Sequence, residues 1–312
     1  MPLAVGPAIS QMRGSMQIAL TLVSPDAAAA PAALGIVTEA LAGAQARVKE
    51  PRPLGPGALD LLVEAQDAAA VRAAAEAALA GLAVDVCVQP WAGRRKRLLV
   101  ADMDSTIIGC ECIDEIADFA GRKVEVSAIT ERAMRGELDF EAALRERVAM
   151  LKGLPIAVLQ DAYDQRVRLN PGARTLVRTM AGHGARCVLV SGGFTFFTSR
   201  VAHAAGFHSN RANRLVEEGR ELSGLVEHPI LGREAKLAAL KEEALALGAP
   251  LAETLAIGDG ANDLAMIEAA GLGVAYRAKP IVAAEADAKV DHADLTALLY
   301  FQGYRAEDFV TD

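Results

Sequence analysis

Three times in this chain an apolar run stops abruptly at acidic or very small residues: RLLVADMD (97–104), ARCVLVSGG (185–193) and ETLAIGDG (253–260). Each run is apolar at consecutive positions, with no alternation. A strand with that pattern must be buried on both faces, which predicts a parallel sheet covered by helices. LGVAYRA (272–278) reads as a further strand. Between about 112 and 168 the pattern is helical throughout (IDEIADFA, SAITERAMRG, FEAALRERVAMLKG, IAVLQDAYDQRVRL). An all-helical block inserted after the first strand of an α/β domain is expected to form a cap over its ligand site. Shorter alternating stretches from Asn213 to Pro229 predict a hairpin at the sheet edge.

The first ninety residues follow a different grammar. QIALTLV (17–23) is strand-like, and Ser24-Pro25-Asp26 opens an alanine-rich helix to about Ala42. Strand-like stretches follow near 46–49 and 58–64, then a helix from Asp67 and a strand at 84–88. This β-α-β-β-α-β order is that of a ferredoxin-like module. The expected organisation is therefore a tail at 1–15, a ferredoxin-like domain at 16–90, a linker at 91–97, and at 98–312 a doubly wound, Rossmann-like α/β core carrying the helical cap. The basic run Arg94-Arg95-Lys96-Arg97 is expected to be a solvated linker.

A net charge of −8 argues against nucleic acid as a partner, because a phosphate backbone needs a basic face. No apolar stretch reaches the roughly 18 residues of a membrane span. Cys87, Cys110, Cys112 and Cys187 lack zinc-site spacing, so reduced thiols and a cytoplasmic location are expected.

In an open parallel sheet, ligands bind beyond the carboxyl ends of the strands. There the sequence puts Asp102 and Asp104, Ser191-Gly192-Gly193, and Asp259 with Asp263. Converging carboxylates repel, and a divalent cation removes the conflict. All-oxygen ligation favours Mg²⁺, which completes its shell with water and phosphate oxygens. Of two acids two residues apart, one can attack phosphorus while the other protonates the leaving oxygen. Ser191 and close-approaching backbone N–H groups suit a phosphate, and Lys236 near a helix start can reach it. Alone, each feature reads as a turn, a cap or a solvated charge. In this order, each after an apolar strand, they predict one site for phosphoryl transfer.

The set DMDST (102–106), VLVSGG (188–193), Lys236 and GDGAND (258–263) resembles the haloacid-dehalogenase superfamily of phosphatases. Longer stretches resemble its phosphoserine phosphatase family: DMDSTIIGCECIDEIADFAG, GELDFEAALRERVAMLKGL, VSGGFTFF and GDGANDLAMIEAAGLGVAYRAKP. The resemblance implies Asp102 as nucleophile and Asp104 as general acid and base. It implies Mg²⁺ on Asp102, Asp259 and the main-chain carbonyl of Asp104, with Asp263 and Asn262 beside it. Ser191, Gly192 and Lys236 would bind phosphate. Substrate selection would fall to Glu111 against an ammonium and Arg147 against a carboxylate, between apolar walls at Met134 and Phe140. The implied reaction is hydrolysis of O-phospho-L-serine, a step of serine biosynthesis. Rival outcomes of the same residues are transfer to an amino-alcohol such as homoserine, or a non-catalytic amino-acid-binding regulator. The first domain resembles the ACT module. Its first loop, SPDAAAAP, lacks the glycine of many effector-binding examples, so the resemblance implies a dimerising or vestigial role, with a homodimer expected, at least as much as amino-acid sensing.

Overall fold

A computed structural model of the chain describes residues 15–311, so the expected tail lies, but for Ser15, outside the described residues. The amino-terminal module runs β1 (Met16–Val23), α1 (Ala29–Gly43), β2 (Arg47–Val48), β3 (Arg52–Gly55), β4 (Ala58–Ala65), α2 (Ala68–Leu79) and β5 (Asp85–Pro90). Strand β1 is central and antiparallel to both β4 and β5. Its alternate residues Ile18, Leu20 and Leu22 join Leu59, Leu61 and Val63 in a core closed by Val37 and Leu41 of α1 and Val71 and Leu79 of α2. Asp67 caps α2, accepting from Ala69 N at 2.9 Å and Ala70 N at 3.3 Å. The short β2 and β3 are separate pairings on β4, and Pro51, which cannot donate to a ladder, lies in the gap between them.

The second part starts at β6 (Leu98–Ala101). Four helices follow: α3 (Cys112–Phe119), α4 (Lys123–Met134), α5 (Phe140–Ala149) and α6 (Ala157–Arg166). The chain then returns through α7 (Ala173–Gly182), β7 (Arg186–Phe194), α8 (Thr195–Ala205), β8 (Ser209–Asn213), β9 (Leu215–Glu218), β10 (Glu221–Val226) and α9 (Arg233–Ala246). It ends with β11 (Thr254–Gly258), α10 (Leu264–Ala269), β12 (Leu272–Tyr276), α11 (Pro280–Glu285), β13 (Ala288–Val290) and α12 (Ala297–Phe301). The strand order β13-β12-β11-β6-β7-β8 is parallel throughout. Both faces are buried, as the unbroken apolar runs require. Leu99, Ala101, Cys187, Leu189, Leu255 and Ile257 point into one core, while Leu98, Val100, Val188, Val190 and Ala256 point into the other. Among the described residues no helix is long and apolar enough to cross a membrane.

Two expectations hold in part. The main sheet ends at β8, and the expected hairpin forms, but as a separate two-stranded sheet of β9 and β10. Its partner is the helical block, through Gly153 N to Leu222 O (2.8 Å), Leu222 N to Leu154 O (2.8 Å) and Ile156 N to Arg220 O (2.9 Å). The basic run is solvated only at Arg95 and Arg97, whereas Arg94 and Lys96 are buried. Arg94 forks onto the buried Asp60 of β4 at 2.8 and 2.7 Å, and Lys96 Nζ donates to Ala252 O at 2.9 Å. A four-residue charge run reads as solvent-facing only while its partners, far away in sequence, are out of view.

Strand β13 escapes the sequence reading as well. Its single bridge from Ala288 to Cys87 joins it antiparallel to β5, so that both sheets form one of eleven strands.

Candidate active site

At the carboxyl ends of β6, β7 and β11 the chain gathers its acids. Asp102 N donates to Ile257 O at 3.0 Å, which fixes the start of the first loop against β11. The loop then turns sharply: Ser105 takes φ 55°, and Ile108 N closes onto Met103 O at 3.0 Å. The turn aims Asp102 and Asp104 in different directions. Asp104 accepts from Cys112 N at 2.9 Å and from Ser191 Oγ at 3.1 Å, and Ser191 Oγ in turn accepts from Gly193 N at 2.8 Å. Asp102 Oδ1 instead lies 2.6 Å from Lys236 Nζ, which is also 2.6 Å from Asp263 Oδ1. The second oxygen of Asp263 accepts from Asp259 N and Gly260 N at 3.2 Å each. Position 258 must be glycine, because a Cβ there would sit 2.3 Å from Asp263 Cγ.

Oxygens of Asp102, Asp259 and Asp263 lie within 4.8 Å of one another, and all three residues are buried. Three hard oxygen donors in a tight group suit a small divalent cation. The electrostatics fit that reading. Burial, with Asp263 alongside, pushes the Asp102 carboxyl up to about 7, only partly offset by Lys236. Burial also raises Asp259 well above the ordinary carboxylate range, with Glu111 and Asp102 adding to it. Asp104 is raised by burial too, against the hydrogen bonds it accepts. For Lys236 burial works downward, but the charges of Asp102 and Asp263 outweigh it and keep the ammonium protonated. A cation among the acids would relieve the repulsion that one lysine leaves.

A cavity opens from these acids into the cap. Asp102, Asp104, Ser191, Gly192 and Asn262 line its floor, and Glu111, Met134, Phe140 and Arg147 line its upper part. Lys236, Asp259 and Asp263 sit beside Asp102 as a buried group. Glu111 precedes α3 and accepts from Ser105 Oγ at 2.6 Å; burial and the charge of Asp104 raise its carboxyl. Arg147 lies in the last turn of α5, buried, its Nε donating to Ala143 O at 3.1 Å and its Nη1 to Thr130 Oγ1 at 3.0 Å. Cap and core touch closely: Phe140 lies against Gly192 and Gly232, and Met134 against Gly260. Lys279 Nζ reaches Glu131 Oε2 across the same boundary at 2.8 Å.

Every sequence candidate is therefore in one place, on the cavity wall or in the acid cluster behind it. The sequence reading leaves out Ser105, Thr106 and Thr130. Thr106 Oγ1 donates to Asp259 Oδ1 at 3.1 Å, tying the first loop to the β11 loop. Ser105 and Thr106 were in view within DMDST. The signal for Thr130 is its spacing of four from Met134, which puts both on one face of α4.

The haloacid dehalogenase-like hydrolase family model matches residues 99–268. A phosphoserine phosphatase of Polaromonas sp. (strain JS666) is 46% identical over 224 residues, 70% of this chain and 95% of that protein. Among solved structures, a phospho-aspartyl intermediate analogue of phosphoserine phosphatase aligns with a TM-score of 0.64 at 39% identity, covering 66% of this chain and 99% of that one. A probable phosphoserine phosphatase from Vibrio cholerae aligns over 95% of this chain and 89% of its own, with a TM-score of 0.72 at 30% identity. By this match in sequence and in the arrangement of acids, Ser191–Gly193 segment and helical cap, the chain belongs to the phosphoserine phosphatase family of haloacid dehalogenase-like hydrolases.

Proposed function

We propose that this chain hydrolyses O-phospho-L-serine to L-serine and phosphate through a phosphoaspartate on Asp102. The observation that carries the reading is the polarity of one cavity: paired acids and a phosphate loop at the floor, Glu111 and Arg147 above. A phosphate that also bears an ammonium and a carboxylate matches those groups one for one.

Asp102 attacks phosphorus, so an Asp–O–P bond forms as the P–O bond to serine breaks. Asp104, held by Cys112 N and Ser191 Oγ, gives its proton to the departing seryl oxygen. In the second half Asp104 takes a proton from water as the water oxygen displaces Asp102 from phosphorus. Ser191, the Gly192 backbone and Asn262 orient the phosphoryl oxygens, and Lys236 balances charge beside Asp102. Asp102, Asp259 and Asp263, with the Asp104 carbonyl, would hold Mg²⁺, which when bound neutralises charge on the phosphoryl oxygens. Met134 and Phe140 shut water out of the closed cap.

The test is a phosphate-release screen with Mg²⁺ over phosphoserine, phosphothreonine, phosphoethanolamine and sugar phosphates. Phosphoserine should be turned over fastest, chelator should stop the reaction, and Asp102→Asn should abolish it. Undiminished turnover in Asp102→Asn would overturn the mechanism.

The organisation proposed with this function is an ACT-like module at 16–90, a packed connection at 91–97, and a catalytic part at 98–312 capped by about 112–168. The antiparallel β2-β4-β1-β5 order supports the first assignment. The module is proposed to pair two chains into a homodimer, which sedimentation velocity would test. A cytoplasmic setting is part of the same reading, supported by the four cysteines remaining thiols.

A further inference from the structure

Three helices of the cap are joined by one line of hydrogen bonds that ends on Arg147. From α5, Arg147 Nη1 donates to Thr130 Oγ1 of α4 at 3.0 Å, and Thr130 Oγ1 lies 2.7 Å from Asp114 Oδ1 of α3. All three side chains are buried. The direction of the line follows from proton count. A guanidinium only donates, so the Thr130 oxygen accepts from it, and its single proton is left for Asp114 or for Val126 O at 3.0 Å. The closer, charged acceptor takes it.

We propose that Thr130 and Asp114 are positioning residues that set the selectivity for a carboxylate-bearing phosphomonoester, by aiming Arg147 without neutralising it. This rests on the reading of Arg147 as the carboxylate reader. A direct Asp114–Arg147 ion pair would occupy the fork that a substrate carboxylate needs. The interposed hydroxyl takes one N–H only. With Nε committed to Ala143 O, the guanidinium is fixed at two corners. Among the described residues Nη2 has no protein partner, so the Nη1–Nη2 edge is the one left to grip a carboxylate end-on. A buried arginine held this way loses little rotamer freedom when the carboxylate arrives.

The test compares kcat/KM for phosphoserine with that for phosphoethanolamine, which has the ammonium and phosphate but no carboxylate. In Thr130→Val the ratio should fall about tenfold, as for loss of one charge-assisted hydrogen bond, and mostly through KM for phosphoserine. Asp114→Ala should move the ratio the same way, and Thr130→Ser should restore it. A merely structural role would lower both substrates together and leave the ratio unmoved, which overturns the proposal. Arg147→Ala separates the two layers. A ratio that falls in Arg147→Ala and holds in Thr130→Val overturns the positioning role alone. A ratio that holds in both overturns the reading of Arg147 and this inference with it.

Discussion

Replacing Gly192 by alanine should cripple catalysis through the cap and not through the phosphate loop's own conformation. A Cβ at 192 would stand 2.6 Å from Phe140 Cζ and 3.1 Å from Cε2. Carbon atoms pack at about 3.5–4.0 Å, so the ring must retreat by roughly 1 Å. Its other side offers little room, because Gly232 backs it so closely that a Cβ there would be 3.0 Å from Cδ1. The ring fits only because glycine stands on both sides. Overpacking of this size costs about 1–3 kcal/mol, and here it falls on the closed cap alone. At about 1.4 kcal/mol per factor of ten, kcat/KM for phosphate release should drop about 5- to 150-fold while the fold is kept. The assay is a double-substitution cycle with Phe140→Ala. If the clash is the cause, Gly192→Ala should cost far less when Phe140 is already alanine, with a coupling above about 1 kcal/mol. Additive losses would refute the reasoning and put the defect in the phosphate loop itself.

Lys236→Met should leave Asp102 and Asp263 facing each other without the ammonium that now lies 2.6 Å from each. The melting temperature should fall, and added Mg²⁺ should raise it more in the variant than in the parent; equal Mg²⁺ shifts would contradict the shared charge balance. Arg94→Met should cost about 3 kcal/mol, the loss on breaking a buried pair, moderated because Arg52 still reaches Asp60 at 2.9 Å. Urea unfolding would measure it, and a change under 1 kcal/mol would show that Asp60 does not depend on Arg94.

The catalytic end of the molecule is legible in the sequence because its physics is local. A strand buried on both faces must be apolar at nearly every position, so the return of polarity marks the end of β6 at Asp102 and of β11 at Asp259, while β7 runs three residues beyond Ser191 to Phe194. The cap is legible because no strand-like run interrupts it, although of its helices only α3 shows a strong one-sided apolar period. Glu111 and Arg147 are different: nothing in their spacing separates them from exposed helix charges, and only the longer family resemblance singles them out. What stays hidden is pairing at a distance. Asp60 lies 34 residues from Arg94, and both are at ordinary turn or strand positions until the fold brings them to 2.7 Å. Strand β13 is only three residues long, too short for any period to declare itself.

That short strand alters how the amino-terminal module relates to the chemistry. Because β13 takes β5 as its neighbour, the module is built onto the edge of the catalytic sheet, not hung from a linker. Asp85 of β5 strengthens the seam by accepting from the consecutive backbone N–H groups of Asp291, His292 and Ala293 at 2.8 to 3.3 Å. The segment it holds continues to Leu295, whose N–H donates to Pro171 O at 3.1 Å. The next residue back, Asn170, gives its amide to Thr106 O at 2.8 Å and Ile108 O at 3.2 Å, in the loop that carries Asp102 and Asp104. β13 itself stands two strands away from β11 and its Asp259. Sideways through β12, or along the 291–295 segment to Asn170, two hydrogen-bonded paths lead from this seam toward the acids, beside further contacts such as Gln89 Nε2 to Phe301 O at 2.8 Å. The second reaches the loop that carries Asp102 and Asp104 directly, through the two hydrogen bonds that the Asn170 amide donates.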